Sequence, residues 1–391
     1  MSTARDILQT VTEQKEALVS DLRQLVSIES PSTDPHLTGL AFDFIEASFK
    51  EMGYYCFRMT GDAFGGYLYA RPQNKPKNVR IQLLIGHIDT VWPAGTLEKM
   101  PILEKQNKLS GPGVYDMKSG LIQILYALKA IDKSGMQPSV LPVILINADE
   151  EVGSKESTPT IKRLAKIAAR AYILEPSLGK EGKLKTRRSG VGRYELKLTG
   201  HAAHAGLDPG KGASAIVELS HVIQKLFALN DPSKSISVNV GMIDGGVRPN
   251  VIAPESTAVV DVRVPTVKDA ERIDQEIKSL YTENADIDLT ITGNIGRPPM
   301  EGTPENRALW ELAKITGESL SFDLQEATAG GGSDGNTTSQ YTGTLDGLGA
   351  IGDGAHALHE FAYVDKLIER TALLALLILA KPLNPNPQNH E

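Results

Sequence analysis

A single cysteine, Cys56, stands among 391 residues, so no internal disulfide can form and a disulfide-stapled secreted scaffold is excluded. No stretch approaches the roughly 20 apolar residues that a membrane span needs. No basic block interrupts a net charge of −7 that is spread along the chain, which argues against nucleic acid as the main partner and favours a small-molecule or peptide substrate. The opening MSTARDILQTVTEQKEAL is polar and helix-like rather than a signal peptide; with the lone cysteine it points to the cytoplasm, with no membrane association. Cys56, beside Tyr54, Tyr55 and Phe57, reads as a buried apolar filler.

What is present describes a globular protein of more than one core. Hydrophobic residues make up 41% and charged residues 23%, and the length exceeds the size at which one core keeps growing, so two domains are expected. Apolar positions at helical spacing predict one long amphipathic helix over residues 3–27 and another over 39–52. Strands are expected near 56–59 and 66–70, then a buried strand at 79–85, a helix at 119–131 and a strand at 140–148; strand, helix, strand in that order implies a parallel pair with a crossover. From about residue 194 the pattern becomes β-α-β-β-α-β, a unit with its own sheet and helices. After Arg297-Pro298-Pro299 a helix at 304–316, a glycine-rich loop, a short strand near 349–351 and a helix at 364–380 return to the first layer. The tail PLNPNPQNHE is expected to be disordered. The expected domains are therefore residues 1–190 and 297–391, with 191–296 inserted between them.

Four fragments place acids or imidazoles where an apolar run stops: Gly86-His87-Ile88-Asp89, Tyr115-Asp116-Met117-Lys118, Asp149-Glu150-Glu151 and Leu174-Glu175-Pro176. Three of them follow probable buried strands, and the carboxyl edge of an open α/β sheet is where ligands bind. In His-x-Asp on a strand both side chains share a face, so His87 can ligate a metal while Asp89 buttresses its ring. Asp116 carries two oxygens and can bridge two metals about 3.5 to 4 Å apart. At the strand end one of the neighbouring acids can ligate and another can act as base; packed so closely they repel unless a cation is present. An imidazole-carboxylate set without cysteine suits zinc, with Co2+ or Mn2+ as substitutes. The last motif holds two histidines, His356 and His359, and spacing alone does not choose between them. His201 reads as a surface residue or a substrate contact, and His36, His221 and His390, outside every motif, read as structural or solvent-exposed.

Taken together, GHIDTV at 86–91, GPGVYDMKSG at 111–120, NADEEVGS at 147–154, LEPS at 174–177, GHAAHAG at 200–206, GGVRPNVIA at 245–253, DVR at 261–263, GGGSDGN at 330–336 and GAHALHE at 354–360 resemble the di-zinc hydrolases that include glutamate carboxypeptidase, succinyl-diaminopimelate desuccinylase, acetylornithine deacetylase and aminoacylase. The likeness is greatest to the glutamate carboxypeptidase type. It implies a mixed α/β fold with a largely parallel sheet and helices on both faces, of zinc exopeptidase type, plus an inserted α+β ferredoxin-like domain serving as lid and dimerisation surface. Two Zn2+ per subunit are implied, His87 and Glu175 holding one, Glu151 and His356 the other, and Asp116 bridging ahead of a cis peptide to Met117. His356, preceded by Gly-Ala and followed by Glu360, matches the family's ligand better than His359 does.

By the same resemblance Glu150 is the general base, Asp89 the orienter of His87, and His204 the donor to the oxyanion. Asn250, Arg263, Arg297 and the loop Gly330, Gly331, Gly332 would surround the substrate carboxylate; the alternative for Arg263 is a strand-end salt bridge. The implied reaction is hydrolysis of an amide to release a C-terminal, glutamate-like amino acid from a peptidyl or N-acyl substrate, by a homodimer. The alternative is an N-acyl-amino-acid deacylase of acetylornithine or succinyl-diaminopimelate type.

Overall fold

The structure is a computed structural model that describes residues 2–74 and 79–383. In chain order it opens with α1 (Ser2–Glu13), α2 (Lys15–Ser27) and α3 (Pro35–Glu51). The single helix expected over 3–27 is thus two. At Gln14 the ladder tightens, Gln14 N donating to Val11 O at 3.1 Å, and restarts with Leu18 N on Gln14 O. Helix α3 starts where Asp34 accepts from the N–H groups of His36 and Leu37 and Pro35 occupies the first turn, a position where its missing N–H costs nothing.

The hairpin β1 (Tyr54–Met59) and β2 (Tyr67–Pro72) leads to β3 (Ile81–His87), then to the short pair β4 (Leu103–Lys105) and β5 (Lys108–Ser110), α4 (Ser119–Lys133) and β6 (Leu141–Asn147). Next come α5 (Thr158–Ala165), β7 (Ala168–Ile173) and β8 (Leu184–Arg188). The βαββαβ segment follows as β9 (Gly190–Thr199), α6 (Ala215–Phe227), β10 (Ser237–Gly245), β11 (Glu255–Val264), α7 (Val267–Lys278) and β12 (Asp288–Arg297). The chain then runs through α8 (Pro304–Ser319), β13 (Glu326–Ala329), α9 (Asp334–Thr338), β14 (Thr344–Leu345), β15 (Gly352–Asp353), β16 (Phe361–Tyr363) and α10 (Val364–Leu379). No strand forms at 349–351. That segment bonds to its neighbours on both sides of Pro176, Gly349 N to Glu175 O and Ser177 N to Ala350 O; Pro176 has no N–H to continue a ladder. Most of the C-terminal tail lies outside the described residues.

Contacts divide the chain into two units: Met1–Arg187 with Gly302–Thr328 and Ser333–Glu391, and Arg188–Glu301 with Ala329–Gly332. The first unit holds a six-stranded sheet in the order β1-β2-β6-β3-β7-β14. Strands β6, β3, β7 and β14 run parallel, and β1 and β2 form the antiparallel edge. Alternation along β3 explains why helices cover both faces. Leu84 belongs to a cluster with α4 and α10 residues such as Leu121, Leu125, Leu373 and Leu374. Leu83 and Ile85 belong to another with Ile161 and Leu164 of α5. Each fully buried leucine of this kind contributes roughly 1.5–3 kcal/mol relative to exposure.

The second unit is an antiparallel sheet in the order β10-β11-β9-β12. One of its faces packs α6 and α7 through Leu219, Val222, Leu226, Ile273 and Ile277 against Leu196, Leu198, Val260 and Val262. Ser214 caps α6 by accepting from Val217 N, and Thr266 caps α7 by accepting from Asp269 N.

Glycine is required where α4 passes under the sheet edge. A Cβ on Gly120 would stand 2.2 Å from the Leu174 carbonyl oxygen, and one on Gly349 2.3 Å from the same atom. Backbone cannot yield as a flexible side chain can, so both positions fix the chain just before Glu175. Gly120→Ala is expected to destabilise the protein by about 1–3 kcal/mol through overpacking, read as a lowered denaturation midpoint; an unchanged midpoint would mean that the strand end relaxes freely.

Candidate metal centre

The carboxyl ends of three parallel strands set most of the site. His87 is the last residue of β3; Asp149, Glu150 and Glu151 follow β6; Glu175 follows β7. Asp116 lies in the irregular turn Val114–Lys118 ahead of α4, and its peptide to Met117 is cis. His356 sits after β15 with φ 61.

These elements bring the expected ligands together. The Asp116 carboxylate faces both imidazoles, with Oδ1 3.3 Å from His87 Nε2 and Oδ2 3.6 Å from His356 Nε2. Glu175 Oε1 lies 3.6 Å from His87 Nε2, and Glu151 Oε2 lies 3.1 Å from His356 Nε2. Donor atoms of His87, Glu150 and Glu175 lie within 4.8 Å of one another, as do those of His87, Asp116 and Glu151. His356 rather than His359 is therefore the histidine of the last motif that meets the acids; His359 is exposed.

The electrostatics call for cations. Five carboxylates, Asp89, Asp116, Glu150, Glu151 and Glu175, converge around His87 and His356. Burial alone would lower the His87 pKa, but the neighbouring Asp116, Asp89 and Glu175 carboxylates hold it well above the usual imidazole range. Hydrogen bonding to Glu151, with the Asp116 charge adding to it against burial, lifts His356 to about 9. Burial raises Glu151 above the carboxylate range, opposed by His356. Asp116 Oδ1 and Glu151 Oε1 are buried without a hydrogen-bonding donor, an expensive state for a carboxylate oxygen. Imidazole nitrogens and orphaned carboxylate oxygens at these spacings fit divalent zinc-like metal.

The surroundings fix the candidate ligands in place. His87 Nδ1 lies 2.9 Å from the Asp89 carbonyl and 3.4 Å from its carboxylate, leaving Nε2 for metal. The Asp89 carboxylate in turn accepts from Ser32 Oγ at 2.7 Å and from the N–H groups of Glu150 and Glu151. Buried Lys118, lowered to about 7 by burial, donates to the Ile28 carbonyl. Asp334 of the glycine-rich motif accepts from Asn147 Nδ2 and Ser154 Oγ and so anchors the loop that carries Glu150 and Glu151. Ser32 carries no local signal in the sequence, whereas Asp334 stands inside the motif GGGSDGN. Cys56 is half-buried, and burial pushes its thiol to about 11, which keeps it protonated and unreactive.

The remaining expected residues lie in the second unit. His204 Nδ1 accepts from the N–H groups of Gly206 and Leu207 at 3.1 and 3.2 Å, so its hydrogen is carried on Nε2 and the neutral ring is a donor there. The Asn250 carbonyl accepts from Ala205 N, next to His204. Arg263 on β11 and Arg297 on β12 both pair with Val191 of β9 and so flank one residue. Arg263 forms a bidentate pair with Asp261 at 2.8 and 2.9 Å, the strand-end salt bridge. Carbonyls of Gly330, Gly331 and Gly332 accept from Arg263 and from Arg188, a buried arginine that the sequence did not single out. His201 and His36 are exposed, and His221 lies 3.7 Å from Glu283. His390 is outside the described residues.

Two imidazoles and five carboxylates gathered at parallel strand ends and the turns beside them, in a chain that also carries a βαββαβ unit, fit a metallopeptidase. Residues 186–289 match the peptidase dimerisation domain of the M20 family. Carboxypeptidase G2 of Pseudomonas sp. (strain RS-16) is 28% identical over 388 residues, covering 95% of this chain and 91% of that protein. A "Probable carboxypeptidase" of Arthroderma otae is 30% identical over 324 residues, 74% of this chain and 68% of that one. The aminopeptidase PepT of Bacillus cereus has the same fold, with a TM-score of 0.80 at 21% identity over 93% of this chain and 98% of that one. The chain belongs to the M20 peptidase family and is an enzyme of that family.

A metal held by His356 would have to displace the proton that Glu151 keeps there by lifting the imidazole to about 9. The metal-free imidazole is protonated below that value, so apparent affinity should fall about tenfold per pH unit per displaced proton as pH drops below about 9, and level off above it. Competition titrations against a zinc chelator across pH 6 to 10 check this; a flat profile would remove His356 from the ligand set.

Proposed function

We propose that this chain is a zinc-dependent carboxypeptidase that releases a C-terminal, glutamate-like amino acid from a peptidyl or N-acyl substrate. The observation that carries the reading is the Asp116 carboxylate, turned with one oxygen to His87 and one to His356. Similarity to Carboxypeptidase G2 along most of both chains supports the choice of reaction.

His87 and Glu175 would hold one metal, Glu151 and His356 the other, and Asp116 both. When bound, two zinc ions would polarise the amide carbonyl and make water acidic near neutral pH. Glu150, whose carboxylate shares a cluster with His87 and Glu175, takes the proton from the attacking water and returns it to the leaving nitrogen. Asp89 orients His87. His204, with its hydrogen on Nε2, donates to the developing oxyanion. Arg263, Arg297, Asn250 and the glycine loop are proposed to hold the substrate carboxylate, the guanidiniums giving forked recognition.

The enzyme is proposed to act as a homodimer through the second unit. On β10, an edge strand, Met242 and Ile243 are 65% and 67% exposed, and Ile216 and Val217 of α6 are also exposed. Ile216 borders Gly245 at the end of β10, and exposed apolar side chains grouped in this way favour a partner surface. No helix among the described residues is long and apolar enough to cross a membrane. A cytoplasmic location is proposed on the single cysteine.

Metal content per chain, measured with hydrolysis of a peptidyl-, acetyl- and succinyl-amino-acid panel before and after chelation and zinc return, tests the reading. About two zinc ions with chelator-sensitive release of glutamate support it, and preference for acetyl or succinyl substrates replaces it with the deacylase. In the same assay Glu150→Ala should keep its metal and lose roughly 10²–10⁴ in kcat, and His204→Ala roughly 10²–10³; retained turnover in either removes that residue from its role. Met242→Asp should shift sedimentation from dimer to monomer, and an unchanged dimer would place the interface elsewhere.

A further inference from the structure

Glu360 has no part in the chemistry described so far, yet three ligand-bearing segments meet at its carboxylate. The side chain is fully buried. Its Oε2 accepts from Trp92 Nε1 and Gly113 N, both at 2.9 Å. Its Oε1 accepts from Tyr115 N at 2.8 Å and Asp116 N at 3.0 Å. The donors come from the chain just after His87 and Asp89 and from the turn that carries Asp116, while Glu360 itself stands four residues beyond His356. Its own carbonyl accepts from Gly111 N at the start of that turn.

A buried carboxylate satisfied by three N–H groups of residues 113–116 and an indole is a costly arrangement if stability were its only purpose, since apolar residues would fill the same space without the desolvation penalty. What the arrangement does is fix the rotation of the Asp116 backbone. A small turn of that peptide would swing both carboxylate oxygens away from His87 and His356 together. We propose that Glu360 is a positioning residue of the metal centre, whose carboxylate sets the bridging orientation of Asp116 and locks it to the loop of His356. The proposal rests on the two-metal reading above.

Glu360→Gln keeps the size but turns an NH2 group toward two N–H donors, which removes two of the four bonds and opposes the original orientation. Wild type and variant are titrated with Co2+, following both the affinity and the visible d–d spectrum of the bound ion, and the metal-free melting temperature is recorded beside them. The expected result is two ions in the wild type, about 10- to 100-fold weaker binding of at least one in Glu360→Gln, as typical when a ligand's support is lost, and an altered d–d spectrum at saturation. Wild-type affinity and spectrum in Glu360→Gln, whatever the melting temperature, would overturn the proposal, because a packing role moves stability and not the coordination of the ion. If Glu360→Gln does not fold, Trp92→Phe decides, since it removes one donor and leaves the carboxylate: weaker binding with a changed spectrum supports the proposal, and wild-type values in both overturn it. A wild type that binds no Co2+ overturns the two-metal reading itself and this inference with it.

Discussion

Mutual repulsion among carboxylates is the constraint on which the site depends. Asp89, Asp116, Glu150, Glu151 and Glu175 are brought to one end of a parallel sheet, where water is largely excluded and like charges interact strongly. Such a group persists only if each oxygen is held by a donor or awaits a cation. Asp89 is held by Ser32 and by two backbone N–H groups. Asp116 Oδ1 and Glu151 Oε1 are not held. The division separates an acid engaged by donors from acids proposed to ligate, and it follows from geometry rather than residue type.

The rest of the first unit serves that division. Continuous apolar strands, buried on both faces, bring His87, Glu150, Glu151 and Glu175 to one edge because parallel strands end on the same side. Close packing at Gly120 and Gly349 locates Glu175. The glycine-rich motif contributes through Asp334, which ties down the loop after β6. Glu360 does for Asp116 what Ser32 does for Asp89: both supply support from a distant part of the chain.

The second unit stands on its own core, with α6 and α7 on one face of a four-stranded antiparallel sheet. Its chemistry is of another kind. His204 is set as a neutral donor by two backbone N–H groups, and Arg263 and Arg297 are aligned by register about Val191. Arg263 is meanwhile engaged by Asp261, so any substrate carboxylate would have to share that guanidinium or displace its partner.

The elements with strong periodicity or long apolar runs were legible in the sequence: β3, β6, the βαββαβ order and the candidate ligands at strand ends. Helix breakage at Gln14 was not, since the amphipathic pattern continues across it and only the local bonding pattern changes. Nor was the absence of a strand at 349–351, which Pro176 on a neighbouring segment causes. By itself the sequence determined which residues could ligate and that three of their segments follow buried strands, because local patterning sets strand ends and side-chain chemistry sets ligand type. Local patterning left His356 and His359 open until resemblance favoured His356; the tertiary structure is what brings His356 to Glu151, turns Asp116 to both imidazoles, and sets Ser32, Asp334 and Glu360 behind the site. These are contacts between segments far apart in the chain, and local preference carries no information about which distant atoms a folded backbone will bring within a hydrogen bond.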